Sequence, residues 1–398
     1  MNFQSVIQEH AVPIDPAIKE MLKTIRSLTN HPVILGGSIA RGTHLSNYDC
    51  DIFVMFPKDA LNISDQLEKI LTPLQPERVH GSRDYFHIHI NNILFEIIPV
   101  LKITNANEAK NVTDASPLHV EWIKKNIKGK EDDVKLLKLF LKSKNLYGAE
   151  SYIQGFSGYV CEILTIHYGG FLPLLKAASK WKETQIIDTE KYYKSSQEVL
   201  FSLNKSKQVS PLIVIDPVQK ERNAAAALNG ENYQKLIEVS KKKLTEQDFK
   251  VKLFSQKALT EKAGKNSLLF FEIIPLHGKE DVMGAKMIKV FDYLSQQLLY
   301  FGFSINEKEW QWEGQAYFYF IVSPRKQKET EQRQGPRKED EPNNIQAFLK
   351  KYPQATLKKS RYSAEVKRIY RTPQQVIENS IGSVYVKERV KSIRLIPC

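Results

Sequence analysis

Cysteine is scarce. Cys50, Cys161 and Cys398 are the three in 398 residues, and they stand far apart with no paired spacing. No disulfide framework or cysteine zinc site follows, and a reducing compartment fits. Long apolar runs are missing too: nothing approaches the roughly 20 residues that a membrane helix needs. The opening stretch MNFQSVIQEHAVPIDP contains acids and no signal-peptide core. These absences point to a soluble, cytoplasmic protein with no membrane partner. There is no internal repeat. Acidic charge is in the minority, with 45 Asp and Glu against 58 Lys and Arg, a formal net charge of +13. Such an excess favours a polyanionic partner, because phosphates attract Lys and Arg and release counterions on binding.

At roughly 100–200 residues per domain, the length allows two to four domains. The stretch from Pro16 to Leu28 reads as an amphipathic helix. PVILGG, DCDIFVMF, YFHIHI and ILFEIIPV read as short strands, with a helix, SDQLEKILTPL, between the second and third. That makes a mixed α/β unit over residues 1–115. Residues 116–245 are mostly helical, as in DDVKLLKLFLKSK and GYVCEILTIHY. One strand, PLIVIDPV, interrupts them, and VQKERNAAAALN and YQKLIEVSKKKL read as further helices. In residues 246–326 two strands, LLFFEIIPL and AYFYFIVSP, flank a long helix near AKMIKVFDYLSQQLLYFG, an α/β layer. RKQKETEQRQGPRKEDEPNN is polar and charge-dense and reads as a loop. Residues 327–398 form a basic remainder that is free to return to the preceding layer. The class is α+β and multidomain.

The segment LGGSIARGTHLSNYDCDIFVMFP, Leu35 to Pro57, carries the chemistry. A Gly-Gly-Ser turn follows a strand, ten residues separate Ser38 from Asp49, and Asp49 and Asp51 then lie two apart on a strand. Alternation places both carboxylates on one face. Two such groups suit a hard divalent cation such as Mg²⁺. A pair of ions about 3.5–4 Å apart could then activate a hydroxyl and stabilise a transferring phosphoryl group. Glu96, a lone acid in ILFEIIPV, is the candidate third ligand, since an unpaired charge among apolar neighbours is costly; Asp84 is the next. The Gly36-Gly37-Ser38 turn lets backbone N–H groups and a hydroxyl approach a triphosphate. An isolated Asp-X-Asp is more often a solvated strand face. The combination of strand, Gly-Ser, gap, Asp-X-Asp and later acid is the signature of the polymerase-β-type nucleotidyltransferase superfamily.

The resemblance extends beyond that motif. GSIARGTHLSNYDCDIFVMFP, LYGAESYIQGFSGYVCEILTIHYGGFLPLLKAASKW, IDPVQKERNAAAALN and RYSAEVKRIYRTPQQVI resemble, in order, the head, neck and tail segments of the archaeal, class I, CCA-adding enzymes. That resemblance implies a catalytic head, a helical neck, an α/β body and a tail. It implies that Ser38 and Arg41, with Gly37, hold a triphosphate. It gives Asp49, Asp51 and Glu96 the metal, with glutamate where the family commonly has aspartate. Ser116 and His119 stand where the family has Thr-Pro-X-His, and Lys138 and Tyr147 match phosphate-gripping positions on the neck. Arg222 matches the arginine that reads the incoming base. The family's Tyr-Ala-Glu-His-Pro-Tyr is replaced here by His80-Gly81-Ser82-Arg83-Asp84-Tyr85.

Five of the implied residues have a plainer alternative. Ser116 could cap a helix, His119 and Lys138 could be surface residues, Tyr147 could close a helix end, and Arg222 could pair with Glu221 or a neighbouring helix. The resemblance also implies substrates and partners: CTP and ATP, and the acceptor stem and T arm of tRNA, gripped by basic runs such as KKYPQATLKKSRYSAEVKR. A poly(A) polymerase, an oligoadenylate synthetase-like enzyme or a non-catalytic tRNA-binding protein stay open as alternatives. So does the oligomeric state, a homodimer included.

Overall fold

The computed structural model describes residues 3–46 and 48–397; Cys398 lies outside them. The chain divides after Lys252 into two compact units.

The first unit opens with α1 (Gln4–Glu9) and α2 (Pro16–Leu28). Asp15 caps α2 by accepting from the Ala17 N–H, Pro16 supplies a preset first turn, and Ile18, Met21 and Ile25 recur at helical spacing on the buried side. Next come β1 (Val33–Leu35), α3 (Gly37–Arg41), β2 (Cys50–Phe56), α4 (Ile63–Leu71), β3 (Glu77–Val79), β4 (Tyr85–Ile90) and β5 (Ile93–Leu101). They build one sheet in the order β1-β2-β5-β4-β3, in which β2 and β5 are parallel and the other pairs antiparallel. One face carries Ile52, Val54, Phe56, Phe86, Phe95 and Ile97 against Ile25, Leu67 and Leu71. Strand alternation sends Asp51, Phe53 and Met55, with Glu96 and Ile98, to the other face. There Phe53 and Val100 meet Val120.

Helices α5 (Ser116–Asn126), α6 (Glu131–Ser143), α7 (Gly158–Tyr168) and α8 (Phe171–Ala178) follow. They pack around Phe140, Phe156, Phe171 and Phe249, with Trp181 stacked on Tyr233 at 5.6 Å between ring centroids. The unit is completed by β6 (Gln185–Ile187), α9 (Ser196–Ser202), β7 (Leu212–Asp216), β8 (Gln219–Asn223) and α10 (Gly230–Ser240). The helix expected over VQKERNAAAALN is not there. The chain turns at Asp216–Val218 and returns as β8, antiparallel to β7. The Asn223 amide oxygen accepts from the N–H groups of Val214 and Ala225 at 2.9 Å each, and this clamp outweighs the helix propensity of four alanines.

In the second unit α11 (Gln256–Ala263), β9 (Ser267–Pro275), α12 (Glu280–Tyr300), β10 (Ser304–Glu313) and β11 (Gln315–Ser323) come first. Then come β12 (Thr330–Arg337), α13 (Pro342–Lys351), β13 (Thr356–Lys358), β14 (Arg361–Lys367), α14 (Pro373–Ile381), α15 (Val384–Lys387) and β15 (Val390–Ile396). One sheet has the order β10-β11-β9-β15. Met287, Val290, Phe291, Leu294 and Leu298 of α12 cover its Phe271, Phe318 and Phe320. A smaller sheet has the order β12-β14-β13. The polar stretch expected to be a loop therefore contains a strand, β12, whose residues are mostly exposed or half-buried. With so little burial, hydrophobic alternation could not mark it.

Asp114 holds the first unit's sheet to the helices that follow. Its carboxylate accepts from the N–H groups of Leu101 (2.8 Å), Lys110 (3.1 Å) and Asn111 (2.9 Å), and from both terminal nitrogens of Arg83. Burial alone would raise its pKa, but Arg83 and the backbone donors hold it below the ordinary carboxylate value. A depressed folded-state pKa means stabilisation that is complete above about pH 4 and is lost as pH falls through the folded value. Asp114→Ala should lower the first unit's stability to urea by about 3–5 kcal/mol near neutrality, because Arg83 loses its counter-ion. The difference from the unsubstituted protein should shrink in acid.

Candidate active site

The site begins at the end of β1. The Gly36 N–H donates to the Asp51 carbonyl at 2.8 Å, locking the turn against β2. Gly37 has φ +57°, and a Cβ there would lie 1.6 Å from Asp51 Oδ2. Only glycine can occupy this position while the carboxylate keeps its place. Helix α3 then presents Ser38 and Arg41 and ends on Gly42 in the left-handed conformation. Asp49 precedes β2 and is exposed.

Asp51 and Glu96 are register partners on the parallel strands β2 and β5. Neighbouring strands lie about 4.8 Å apart, so two carboxylates face each other across that gap. The Asp51 pKa is pushed up to about 7 by burial first, then by Glu96, with Asp49 adding to this and Arg41 opposing it. Burial first, then Asp51 and Asp49, push the Cys50 thiol up to about 12. Glu96 Oε1 also meets His87 Nε2 at 3.0 Å. Asp84, the alternative third ligand, is engaged by Arg78 and His80 at 2.8 and 3.1 Å.

Two of the expected phosphate-gripping residues, Arg41 and Lys138, are gathered by an acid that the motifs did not flag. Glu162, on α7, has a fully buried side chain. Its Oε1 accepts from Arg41 Nε at 2.9 Å and from the Thr43 hydroxyl at 2.5 Å. Lys138 Nζ is 4.0 Å from the same oxygen and donates to the Thr43 carbonyl at 3.0 Å. Burial lowers the Lys138 pKa, and Glu162 opposes that shift. Lys138 is therefore no solvated lysine. The Tyr147 hydroxyl joins it beside Gly158, where an added Cβ would stand 3.0 Å from the phenol oxygen and 3.6 Å from Nζ. Burial pushes the Tyr147 phenol above its usual range. Tyr147 closes no helix; it bridges to Phe156.

A second buried acid, Asp216 at the end of β7, gathers His119 and Arg222. It accepts from His119 Nε2 at 3.1 Å, the Tyr159 hydroxyl at 3.1 Å, Arg222 Nη1 at 2.5 Å and the Val218 N–H at 2.9 Å. Burial raises its pKa, but the His119 hydrogen bond and charge, helped by Arg222, bring it down to about 2. Arg222 thus pairs with Asp216, not Glu221, and stands on a strand, not on an alanine-rich helix. Ser116 is the first residue of α5; Ala115 occupies the capping position and no side-chain cap bond forms. Its hydroxyl is one helical turn from His119. Glu162 carried one sequence signal, the same as Glu96: a single acid within an apolar run.

Three family models match along the chain: a nucleotidyltransferase domain over residues 17–145, a tRNA nucleotidyltransferase second domain over 132–254, and a CCA-adding enzyme C-terminal domain over 277–391. They place a nucleotidyltransferase domain at the head of a chain of α+β, multidomain build. The CCA-adding enzyme of Nanoarchaeum equitans is 50% identical over 211 residues, covering 52% of this chain and 54% of that protein. That of Pyrococcus abyssi is 38% identical over 209 residues, covering 50% and 46%. That of Saccharolobus islandicus is 30% identical over 298 residues, covering 72% of this chain and 69% of that protein. The chain belongs to the CCA-adding enzyme family in its archaeal form. It spans about half the length of the Nanoarchaeum and Pyrococcus relatives it matches. A solved structure of the Cid1 poly(U) polymerase is similar at 13% identity and a TM-score of 0.48, over 60% of this chain and 90% of that one.

The raised Asp51 pKa has a measurable consequence. Between its unfolded value of 3.8 and about 7, the folded protein retains a proton that the unfolded chain has lost. Metal-free stability should therefore fall as pH rises across that window. Asp51→Asn should remove that decline. In chelator at pH 8, it should unfold later than the unsubstituted protein by about 1–3 kcal/mol. Thermal unfolding with and without a divalent ion reads both effects, and the ion should stabilise the variant less.

Proposed function

We propose that this chain adds C, C and A to the 3′ end of tRNA from CTP and ATP, with Mg²⁺ held by Asp49, Asp51 and Glu96. One observation carries the reading: two register-paired carboxylates repel each other beneath a glycine turn that leaves room for nothing larger. That arrangement suits a divalent cation, which would offset the burial and the Glu96 repulsion that together raise the Asp51 pKa. When bound, such ions activate the attacking 3′-hydroxyl and stabilise charge on the transferring phosphoryl group and pyrophosphate.

The chain's own residues then position the substrate. The Ser38 hydroxyl and the glycine turn face the triphosphate. Arg41 gives its Nε to Glu162, which leaves its terminal nitrogens for phosphate. Lys138, Tyr147, His119 and Ser116 continue that grip. Glu162 and Asp216 fix these cations in advance, so less side-chain freedom is lost when nucleotide binds. Arg222, held through Nη1, presents its remaining donors to acceptors on the pairing edges of cytosine and adenine. The +13 charge supports an RNA partner. A cytoplasmic location belongs to the same proposal, and no helix among the described residues is long and apolar enough to cross a membrane.

The test is incubation of tRNA ending at the discriminator base, alongside other RNAs, with each NTP separately. Asp49→Ala and Asp51→Ala should each lose about a thousandfold or more in addition while tRNA binding persists; activity within about tenfold would overturn the metal assignment. Gly37→Ala should behave like these variants, because its Cβ displaces Asp51. Arg222→Ala should reduce the preference for CTP and ATP over UTP and GTP, read by single-nucleotide incorporation. A uniform fall with unchanged ratios would make Arg222 structural. Binding to tRNA should weaken steeply with added salt.

A further inference from the structure

The rung of side chains that contains Asp51 and Glu96 does not stop at β5. Glu96 is the register partner of His87 on β4, and His87 is that of Glu77 on β3. Four ionisable residues, Asp51, Glu96, His87 and Glu77, therefore cross the sheet side by side on one face. The β2 half of this rung belongs to the site described above. The β3–β4 half meets that site through the His87–Glu96 contact, and Glu77 and His89 have been given no part in it.

His87 and His89 lie two apart on β4 and so share that face. Ligand atoms of Glu77, His87 and His89 all lie within 4.8 Å of one another. The three come from adjacent strands of one sheet, so the backbone ladder holds them together without a loop. Arg78, next to Glu77, alternates to the opposite face, where Asp65, Glu68 and Asp84 engage it. It therefore does not neutralise Glu77. The His87 ring is oriented from the other side, because its Nε2 meets Glu96 Oε1 at 3.0 Å. A tautomer that donates Nε2–H to that carboxylate leaves Nδ1 with the lone pair.

We propose that Glu77, His87 and His89 form a binding site for a borderline transition-metal ion, zinc in the first instance, separate from the carboxylate pair. Two imidazoles and one carboxylate make a donor set that prefers zinc over hard Mg²⁺. Glu96, His87 and the ion would form the carboxylate–histidine–metal line that fixes the tautomer and raises the basicity of a ligating imidazole. Glu77 and His89 are exposed and His87 half-buried, which leaves a coordination position open to water or to a group from another molecule. The ion would also cross-link β3, a strand of three residues at the edge of the sheet, to β4.

The test uses the full, untagged chain, stripped of metal and dialysed into millimolar Mg²⁺. Zn²⁺ is titrated against a chromogenic chelator, and Co²⁺ serves as a visible-absorbing substitute that reports nitrogen ligation. The unsubstituted protein should take up a single tight equivalent in the presence of Mg²⁺. His89→Ala and Glu77→Gln, both at exposed strand positions, should each weaken binding by at least about tenfold and alter the Co²⁺ spectrum. Asp51→Asn should retain the Zn²⁺ affinity. Unchanged affinity in either His89→Ala or Glu77→Gln would overturn the proposal. So would absence of Zn²⁺ uptake by the unsubstituted protein, or its loss in Asp51→Asn. None of these readouts depends on nucleotide addition.

Discussion

The parallel pairing of β2 with β5 is the constraint on which the rest of the first unit depends. It brings Asp51 opposite Glu96, an arrangement that like charges resist, and holds it by the hydrophobic packing of Ile52, Val54, Phe95 and Ile97 on the reverse face. Everything nearby accommodates that opposition. The turn at Gly37 has no side chain because Asp51 Oδ2 occupies the space one would fill. Arg41 stands close enough to offset part of the repulsion. The core thus stores a local electrostatic cost that a bound cation can release.

Two buried acids organise the surrounding cations. Glu162 gathers Arg41, Thr43 and Lys138, and Asp216 gathers His119, Tyr159 and Arg222. Removing either acid would leave buried or half-buried positive groups without a partner, which costs far more than the pair contributes. The cations are therefore placed by the anions behind them as much as by the backbone. Among the described residues, one Glu162 oxygen, Oε2, has no hydrogen-bond partner, while Oε1 takes the Arg41 and Thr43 contacts.

Much of this was legible in the sequence, for a physical reason. Asp51 and Glu96 share a face by strand alternation, which needs no knowledge of distant contacts, whereas Asp49 stands just before β2 and is placed by the loop. The Gly-Gly-Ser turn and the main strands and helices of the sheet announce themselves by local pattern. The partners of the two organising acids do not, although Glu162 stands alone in an apolar run, because they lie far away in the chain: Arg41 and Glu162 are 121 positions apart, and His119 and Asp216 are 97. The segment around Arg222 misleads in the opposite way. Four alanines favour a helix, yet Asn223 satisfies two backbone donors in a hairpin and fixes the strand. β12 was illegible because a mostly solvent-facing strand has no apolar rhythm to read.

The sheet of the second unit has a kinetic side. β9 is flanked by β11, which follows within some forty residues, and by β15, whose Arg394 meets Glu272 across 122 residues of chain. The near partner can pair early, while the far one must wait for a long loop to close. Until β15 docks, the apolar run Leu268–Ile274 presents a bare backbone edge, the kind of surface to which another chain can add. The lifetime of that open edge, more than the final stability of the sheet, sets how readily this unit aggregates while it folds.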